Sequence, residues 1–548
     1  MKRAVPYGPI VDAWLAVFFA VAWLTVTCAT AHVLVNPATH GFVDEDGRQR
    51  LFRGVNAVFK IAPWHPALVG FDTNNTLSSE DAQLLTTWGM NAVRLGVMWP
   101  GVEPDEGKYD STYLDAIETI VENLSRQGIF TLLDFHQDLW ARPFCGEGVP
   151  DYVFSKCQKE AEGKRTKPFP APVAKSGSYP LDSDGNPQLS SCLSKAFFTY
   201  YMTEEVSSAF QCLYDNTDGL WDDLGRFWQQ VATRFKDKPS VLGYELINEP
   251  WMGDVFSHPS LIEPGKTEMT LLQPMYQHLH NMIREVDSAK MIFFEGLTID
   301  YWPVGFTAPP GPTPEYDNRQ VLSYHIYCLP DPSGKVETAL CSGANSEFFS
   351  MREKDAERLS VGMMMTEFGA TMAKDNPLHD LDSLTKVADK HGQSWMYWQY
   401  KYFQDLTTST PVGESLFNND GSPSIEKLNI LTRPFPSAIA GHLGSFGFET
   451  SNGINVFTLR YSLLTAVVPG ASTTSKTTTV INLNGPMHFP KGLLASVSGP
   501  GAAKVTLFCV DASHIQLVQS AEASMPEEAA VTVTLSSDCQ GKNCTCAF

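Results

Sequence analysis

Two glutamates stand where buried strands should end. Leu246-Ile247-Asn248-Glu249-Pro250-Trp251 closes one apolar run, and Met365-Thr366-Glu367-Phe368-Gly369 closes another. Burying a carboxylate at such a place is unfavourable unless the group has a task there. Set face to face about 5 Å apart, two carboxyls can divide one reaction between them. One, its pKa raised by burial and by its like-charged neighbour, acts as general acid and then general base. The other stays ionised and attacks carbon. That division is the chemistry of glycosidic-bond hydrolysis with retained configuration. A pair of structural ion pairs is the competing explanation, and the residues flanking both sites argue against it.

The chain around these sites alternates strands with helices. Eight short β-branched and aromatic runs are expected as strands, at 51–59, 91–98, 129–135, 241–247, 291–295, 321–327, 362–367 and 394–400. Between them lie amphipathic helices such as 111–127 and 220–236. The second of these places Leu224, Phe227, Trp228 and Val231 at three- and four-residue steps, on one face. Eight strands interleaved with helices predict an α/β chain folded as a (β/α)8 TIM barrel, whose catalytic groups sit at strand C-termini. After Pro434 the pattern changes to strands alone, at 448–461, 477–483, 504–510, 514–519 and 530–535, with no helix between them. This predicts a C-terminal antiparallel β-sandwich, joined through Arg433-Pro434-Phe435-Pro436, with the Ser/Thr run 472–479 as a loop. Residues 32–434 are therefore the expected barrel and 435–548 the sandwich. One segment, 141–219, is too long for an ordinary βα connection and is expected to form a lid over the active-site face. Its Asp182-Ser183-Asp184-Gly185-Asn186 has a calcium-loop look but lacks the distal Glu, and reads as a turn.

Composition bounds the rest. The 548 residues carry 40 Lys+Arg against 61 Asp+Glu, a formal charge of −21, which argues against a nucleic-acid binder. Lys2 and Arg3 precede an uncharged run, 13–31, that ends in Ala29-Thr30-Ala31. Residues 1–31 are thus expected to be a signal peptide, or an uncleaved anchor, directing the chain to a secreted, lumenal or lysosomal location. The cysteines left after Cys28 form an even set suited to disulfides in an oxidising compartment, with Cys145–Cys157, Cys192–Cys212 and Cys328–Cys341 as local pairings. Asn74, Asn123 and Asn543 begin glycosylation sequons.

Taken in order, Arg53-Gly54-Val55-Asn56, Gly89-Met90-Asn91-Ala92-Val93-Arg94-Leu95, Asn248-Glu249-Pro250, Tyr324-His325-Ile326-Tyr327, Glu367 and Trp398 resemble glycoside hydrolase family 5 across residues 50–434. Arg94, His136, Asn248, Glu249, His325, Tyr327, Glu367 and Trp398 fill the positions expected of that family. Within it, Asp134-Phe135-His136-Gln137-Asp138-Leu139-Trp140, Trp398-Gln399-Tyr400-Lys401 and Arg433-Pro434-Phe435-Pro436-Ser437-Ala438-Ile439-Ala440-Gly441 are most similar to the endoglycoceramidase branch, which also carries a C-terminal β-domain.

The resemblance implies a retaining endo-β-glycosidase that cleaves between oligosaccharide and ceramide, and it implies no cofactor and no metal. Glu249 would be the acid/base and Glu367 the nucleophile, kept ionised and aimed by Arg94 and Tyr327. Asn248 would hold the sugar 2-hydroxyl, and His325 would support the pair from behind. Lys60, His136 and Asp138 would bind sugar hydroxyls over a Trp398 floor. The implied partner is a glycosphingolipid met transiently at a membrane or micelle surface. Phe197 to Tyr201, with Trp251 and Met252, would either line a ceramide groove or simply pack the insert. Two alternatives stand beside this reading: a glucosylceramidase or β-glucanase on the same barrel, and an inactive glycolipid-binding protein.

Overall fold

A computed structural model describes residues 32–161, 179–195, 197–298, 301–327, 338–369, 377–405, 414–463, 474–520, 530–539 and 543–547. Residues 1–31, and with them the expected signal, lie outside this set. Among the described residues no helix is long and apolar enough to cross a membrane.

The chain opens with three short strands, β1 (Val33–Val35), β2 (Phe42–Asp44) and β3 (Gln49–Arg50). Eight parallel strands follow: β4 (Arg53–Ala57), β5 (Ala92–Gly96), β6 (Phe130–Asp134), β7 (Val241–Glu245), β8 (Met291–Glu295), β9 (Gln320–Ile326), β10 (Gly362–Phe368) and β11 (Trp395–Tyr397). These eight close into a barrel in the order β4 to β11, with β11 pairing back to β4. All eight expected runs are strands of this barrel. Most of their residues are buried, because helices cover one face and the barrel interior the other. Helix Leu220–Phe235 buries Leu224, Phe227, Trp228 and Val231 as its spacing predicts. Helix Ser111–Arg126 starts where the Asp110 carboxylate accepts the backbone N–H groups of Thr112 and Tyr113. The floor of the barrel is filled by Phe52, Phe130, Leu132, Leu242, Met291, Phe293 and Met364. Val33, Val35 and Phe42 of the N-terminal strands join the same cluster.

The second unit contains β12 (Phe435–Ile439), β13 (Gly441–Ser451), β14 (Ile454–Leu463), β15 (Thr478–Asn482), β16 (Leu494–Ser498), β17 (Val505–Cys509), β18 (His514–Gln519) and β19 (Ala530–Ser536). One sheet runs β1-β2-β3-β12-β15-β18-β17, the other β13-β14-β19-β16, and a single apolar core joins residues of both. The expected sandwich is present, and residues 33–50 contribute three strands to it. The chain changes sheets at Gly441 (φ 146°), where a Cβ would lie 2.0 Å from the Ser462 carbonyl oxygen.

Several local expectations are corrected. The run 448–461 is not one strand but parts of two, because Asn452 (φ 51°) and Gly453 (φ 75°) make the tight turn of a β13–β14 hairpin. Helix Gly485–His488 interrupts the all-β pattern, and Thr478 and Thr479 of the expected 472–479 loop belong to β15. Within the insert the disulfides are Cys145–Cys192 and Cys157–Cys212, not the local pairs, since helices Asp151–Ala161 and Glu204–Tyr214 pack against each other and bring distant cysteines together. Cys328 lies outside the described residues; among the described residues Cys509–Cys546 and Cys539–Cys544 are further bridges. Asp182 to Asn186 is a turn closed by Asp182 N–H donating to the Asn186 carbonyl. Asn123 is buried in its helix, whereas Asn74 and Asn543 are exposed.

Candidate active site

The barrel brings together at one end the side chains the motifs singled out. Glu367 sits in β10, and Glu249 lies just beyond β7. A carboxylate oxygen of each, with a ring nitrogen of His325 from β9, all lie within 4.8 Å of one another. This separation suits a carboxylate that attacks carbon directly; inverting enzymes hold their pair about 6.5–9.5 Å apart, to admit a water between them.

Arg94 is the hub. Fully buried, its guanidinium donates to Glu367 and Glu245, to the side-chain oxygens of Asn56 (3.0 Å) and Asn248 (2.8 Å), and lies 3.1 Å from Asp134. The Tyr327 hydroxyl donates to the other Glu367 oxygen at 2.9 Å. Arg94 and Tyr327 thus aim the nucleophile as expected. Its pKa is raised all the same: desolvation pushes the Glu367 carboxyl up, and His325 and Arg94, whose charge is shared among three carboxylates, offset only part of that. Glu249 is pushed up to about 8, first by desolvation and then by the Asp138 charge, with His136, Arg94 and Lys60 pulling the other way. It is therefore a protonated acid at neutral pH. His325 Nδ1 is 2.8 Å from Glu249 Oε1. Burial lowers His325 to about 4 and leaves it a neutral ring.

A second cluster stands beside the first. His136 Nδ1 bonds Asp134 (2.8 Å), its Nε2 faces Asp138 (3.3 Å), and its ring stacks on Trp398 with centroids 5.2 Å apart. Although desolvation opposes its charge, Asp134 and Asp138 raise His136 to about 10. Asp138 is held well below the usual range, because Lys60 and His136 outweigh its own desolvation. Lys60 proves to be enclosed: its ammonium meets Asp138 (2.6 Å), Asp405 (3.1 Å) and Glu147 (3.4 Å), and lies 4.7 Å from the Trp398 ring centroid. It stands behind Asp138 and holds that carboxylate ionised. Trp398 Nε1 donates to Glu414, which fixes the plane of the ring. The Asn248 amide donates to the Gln137 carbonyl (3.0 Å) while its oxygen accepts from Arg94, so the side chain is locked with one N–H to spare.

Some groups carry no expectation from the sequence. Glu245 and Glu295 end their strands on a carboxylate, the same signal that picked out Glu249 and Glu367. Glu147, Asp405 and Glu414 come from loops distant in sequence and have no such signal. By distance alone, Glu249, His325 and Glu367 could hold a metal ion, as could Glu245, Glu295 and His325. Arg94, donating to both Glu367 and Glu245, already sets a fixed cation against the carboxylates of either set, which disfavours a second. In the insert, Tyr200, Tyr201 and Trp251 are buried, with Tyr201 and Trp251 centroids 5.2 Å apart, so the centre of the aromatic block packs the insert. Phe197, Phe198 and Met252 are partly buried against the same core.

Comparison with known proteins agrees with this arrangement. The model for cellulase (glycosyl hydrolase family 5) matches residues 43–404, and that for the glycoside hydrolase family 5 C-terminal domain matches 433–534. The chain is 38% identical to an endoglycoceramidase of Hydra vulgaris over 461 residues, 84% of this chain and 82% of that one. It is likewise 38% identical to an endoglycoceramidase of Cyanea nozakii over 469 residues, 85% of this chain and 86% of the relative. The solved structure of endo-glycoceramidase II from Rhodococcus sp. shares the fold, with a TM-score of 0.67 at 22% identity over 90% of this chain and 98% of that chain.

Proposed function

This chain belongs to glycoside hydrolase family 5, and on that premise we propose that it is a retaining endo-β-glycosidase that releases the intact glycan from the ceramide of glycosphingolipids. The observation that carries the chemistry is the Glu249–His325–Glu367 cluster, with one carboxyl kept protonated and the other gripped by Arg94 and Tyr327. The substrate class rests on the two endoglycoceramidase relatives, whose similarity covers more than four fifths of the chain.

In the first step Glu367 attacks the anomeric carbon as Glu249 gives its proton to the departing ceramide oxygen. A covalent glycosyl-enzyme results. Glu249, now ionised, takes a proton from water, which attacks the same carbon and returns Glu367 as a free carboxylate. The spare N–H of Asn248 meets the sugar 2-hydroxyl. His136 and Asp138 take up further hydroxyls, and Trp398 offers its face to the ring.

The ceramide end is reached at a membrane or micelle surface. In support, Leu193, Met202, Phe256, Ile262, Tyr301 and Trp302 are all exposed, and all lie on segments leaving the neighbouring strands β6, β7 and β8 at the catalytic end. With a formal charge of −21, the protein would approach an anionic surface through such apolar contacts and not through charge. The four bridges among the described residues support a secreted or lumenal setting.

The test is product analysis after incubation with a ganglioside, glucosylceramide and a β-glucan in detergent. Intact oligosaccharide plus ceramide is expected. Glucose from glucosylceramide alone would assign a glucosylceramidase instead, and no turnover of any substrate would leave a binding protein.

A further inference from the structure

Glu295 ends β8 buried directly beneath the acid/base, and the two-step chemistry above gives it no part. Its Oε2 accepts the backbone N–H of Glu249 at 2.8 Å, and its Oε1 lies 3.3 Å from His325 Nδ1. That same nitrogen is 2.8 Å from Glu249 Oε1. The strand end is itself fixed, because Tyr276 donates its hydroxyl to the Glu295 carbonyl at 2.9 Å. Glu249 has φ 41°, in the left-handed region that a non-glycine residue keeps only when its surroundings impose it. The grip is visible at both of its peptide groups. Glu295 takes the N–H, while Gln137 (2.9 Å) and Thr298 (2.7 Å) donate to the carbonyl.

We infer that Glu295 is a positioning residue for the acid/base: it pins the left-handed backbone of Glu249 and, through His325, sets the direction in which the Glu249 carboxyl meets the leaving oxygen. This inference rests on the family 5 reading and deepens it. Desolvation, then the proximity of the Glu249 and Glu245 carboxyls, pushes the pKa of the Glu295 carboxyl well above the ordinary range. A glutamine offers an equivalent carbonyl oxygen to the Glu249 N–H.

The test separates aim from mere support of the fold through the leaving group. A misdirected acid slows departure of a poor leaving group such as ceramide, but not of dinitrophenolate, which needs no proton. In the full-length protein, Glu295→Leu is expected to lower kcat on a ganglioside by about a hundredfold, the lower end of what a general acid contributes. The kcat/KM for a dinitrophenyl β-lactoside should stay at the wild-type level, and Glu295→Gln should restore ganglioside turnover. If the leucine variant fails to fold, Glu295→Asp, which withdraws the acceptor by one methylene, should show the same split. Equal losses on both substrates, no loss on either, or a glutamine variant as impaired as the leucine one would each overturn the inference while leaving the family reading intact. A wild-type protein inactive on both substrates would overturn both.

Discussion

Arg94 donates to Glu367 from a guanidinium that also serves Glu245 and Asp134, so the nucleophile shares this cation with two other buried carboxylates. Desolvation therefore prevails at Glu367, and its pKa rises instead of falling. The consequence is a bell-shaped pH profile with assignable limbs. Activity requires Glu367 ionised, so kcat/KM should fall as pH drops through its raised pKa. It also requires Glu249 protonated, so kcat/KM should fall again above about pH 8. Arg94→Lys keeps the charge but not the fork of donors, and should move the acid limb to higher pH. A pH–rate series on wild type and variant checks this, and an unmoved acid limb would refute it.

The two glutamates should fail differently. Glu367→Gln should abolish turnover of every substrate while the far-ultraviolet circular dichroism stays native. Glu249→Gln should lower turnover of a ganglioside by about 10²–10⁴-fold, the usual contribution of a general acid or base. With an activated aryl glycoside the covalent intermediate should then accumulate, and azide, entering where water would be activated, should release it as a glycosyl azide. Survival of activity in Glu367→Gln would show the nucleophile to be another residue.

The insert depends on its bridges. Cys145–Cys192 closes a separation of 47 residues and Cys157–Cys212 one of 55, tying the segment around Tyr201 to the barrel mouth. Replacing Cys157 and Cys212 together with serine should cost about 2–4 kcal/mol, read as a lower urea midpoint. Because Tyr201 packs on Trp251, two residues beyond Glu249, the same variant should also raise KM. An unchanged midpoint and KM would show that the insert holds itself in place without the bridge.

Contact with a lipid surface is separable from chemistry. Trp302 and Ile262 are 51% and 62% exposed and belong to no buried cluster, so changing them to serine should leave the fold and soluble-substrate kinetics unaltered. The Ile262→Ser/Trp302→Ser variant should turn over ganglioside in phosphatidylcholine vesicles more slowly than wild type, yet hydrolyse an aryl lactoside equally well. Parallel rates on vesicles would exclude this face as the point of docking.

Much of this protein is written along the chain itself. The eight barrel strands announce themselves as short apolar runs because a parallel strand buried on both faces tolerates almost nothing else. Glu249 and Glu367 stand out for the same reason, as carboxylates in places where burial is unfavourable. The turn at Asn452-Gly453 was written there too, in a dipeptide suited to positive φ. Other features exist only after folding. Residues 33–50 join a sheet with Phe435–Ile439, a pairing between segments almost four hundred residues apart that no local pattern encodes. The cysteine partners follow from helix packing and not from spacing. That the Lys60 ammonium meets Glu147 and Asp405, which arrive from distant loops, has no signal near Lys60 in the sequence. The protonation states are the clearest case. A sequence names which side chains can ionise, but their pKa values depend on desolvation and on the distances between charges, and both of these come into being only when the barrel closes.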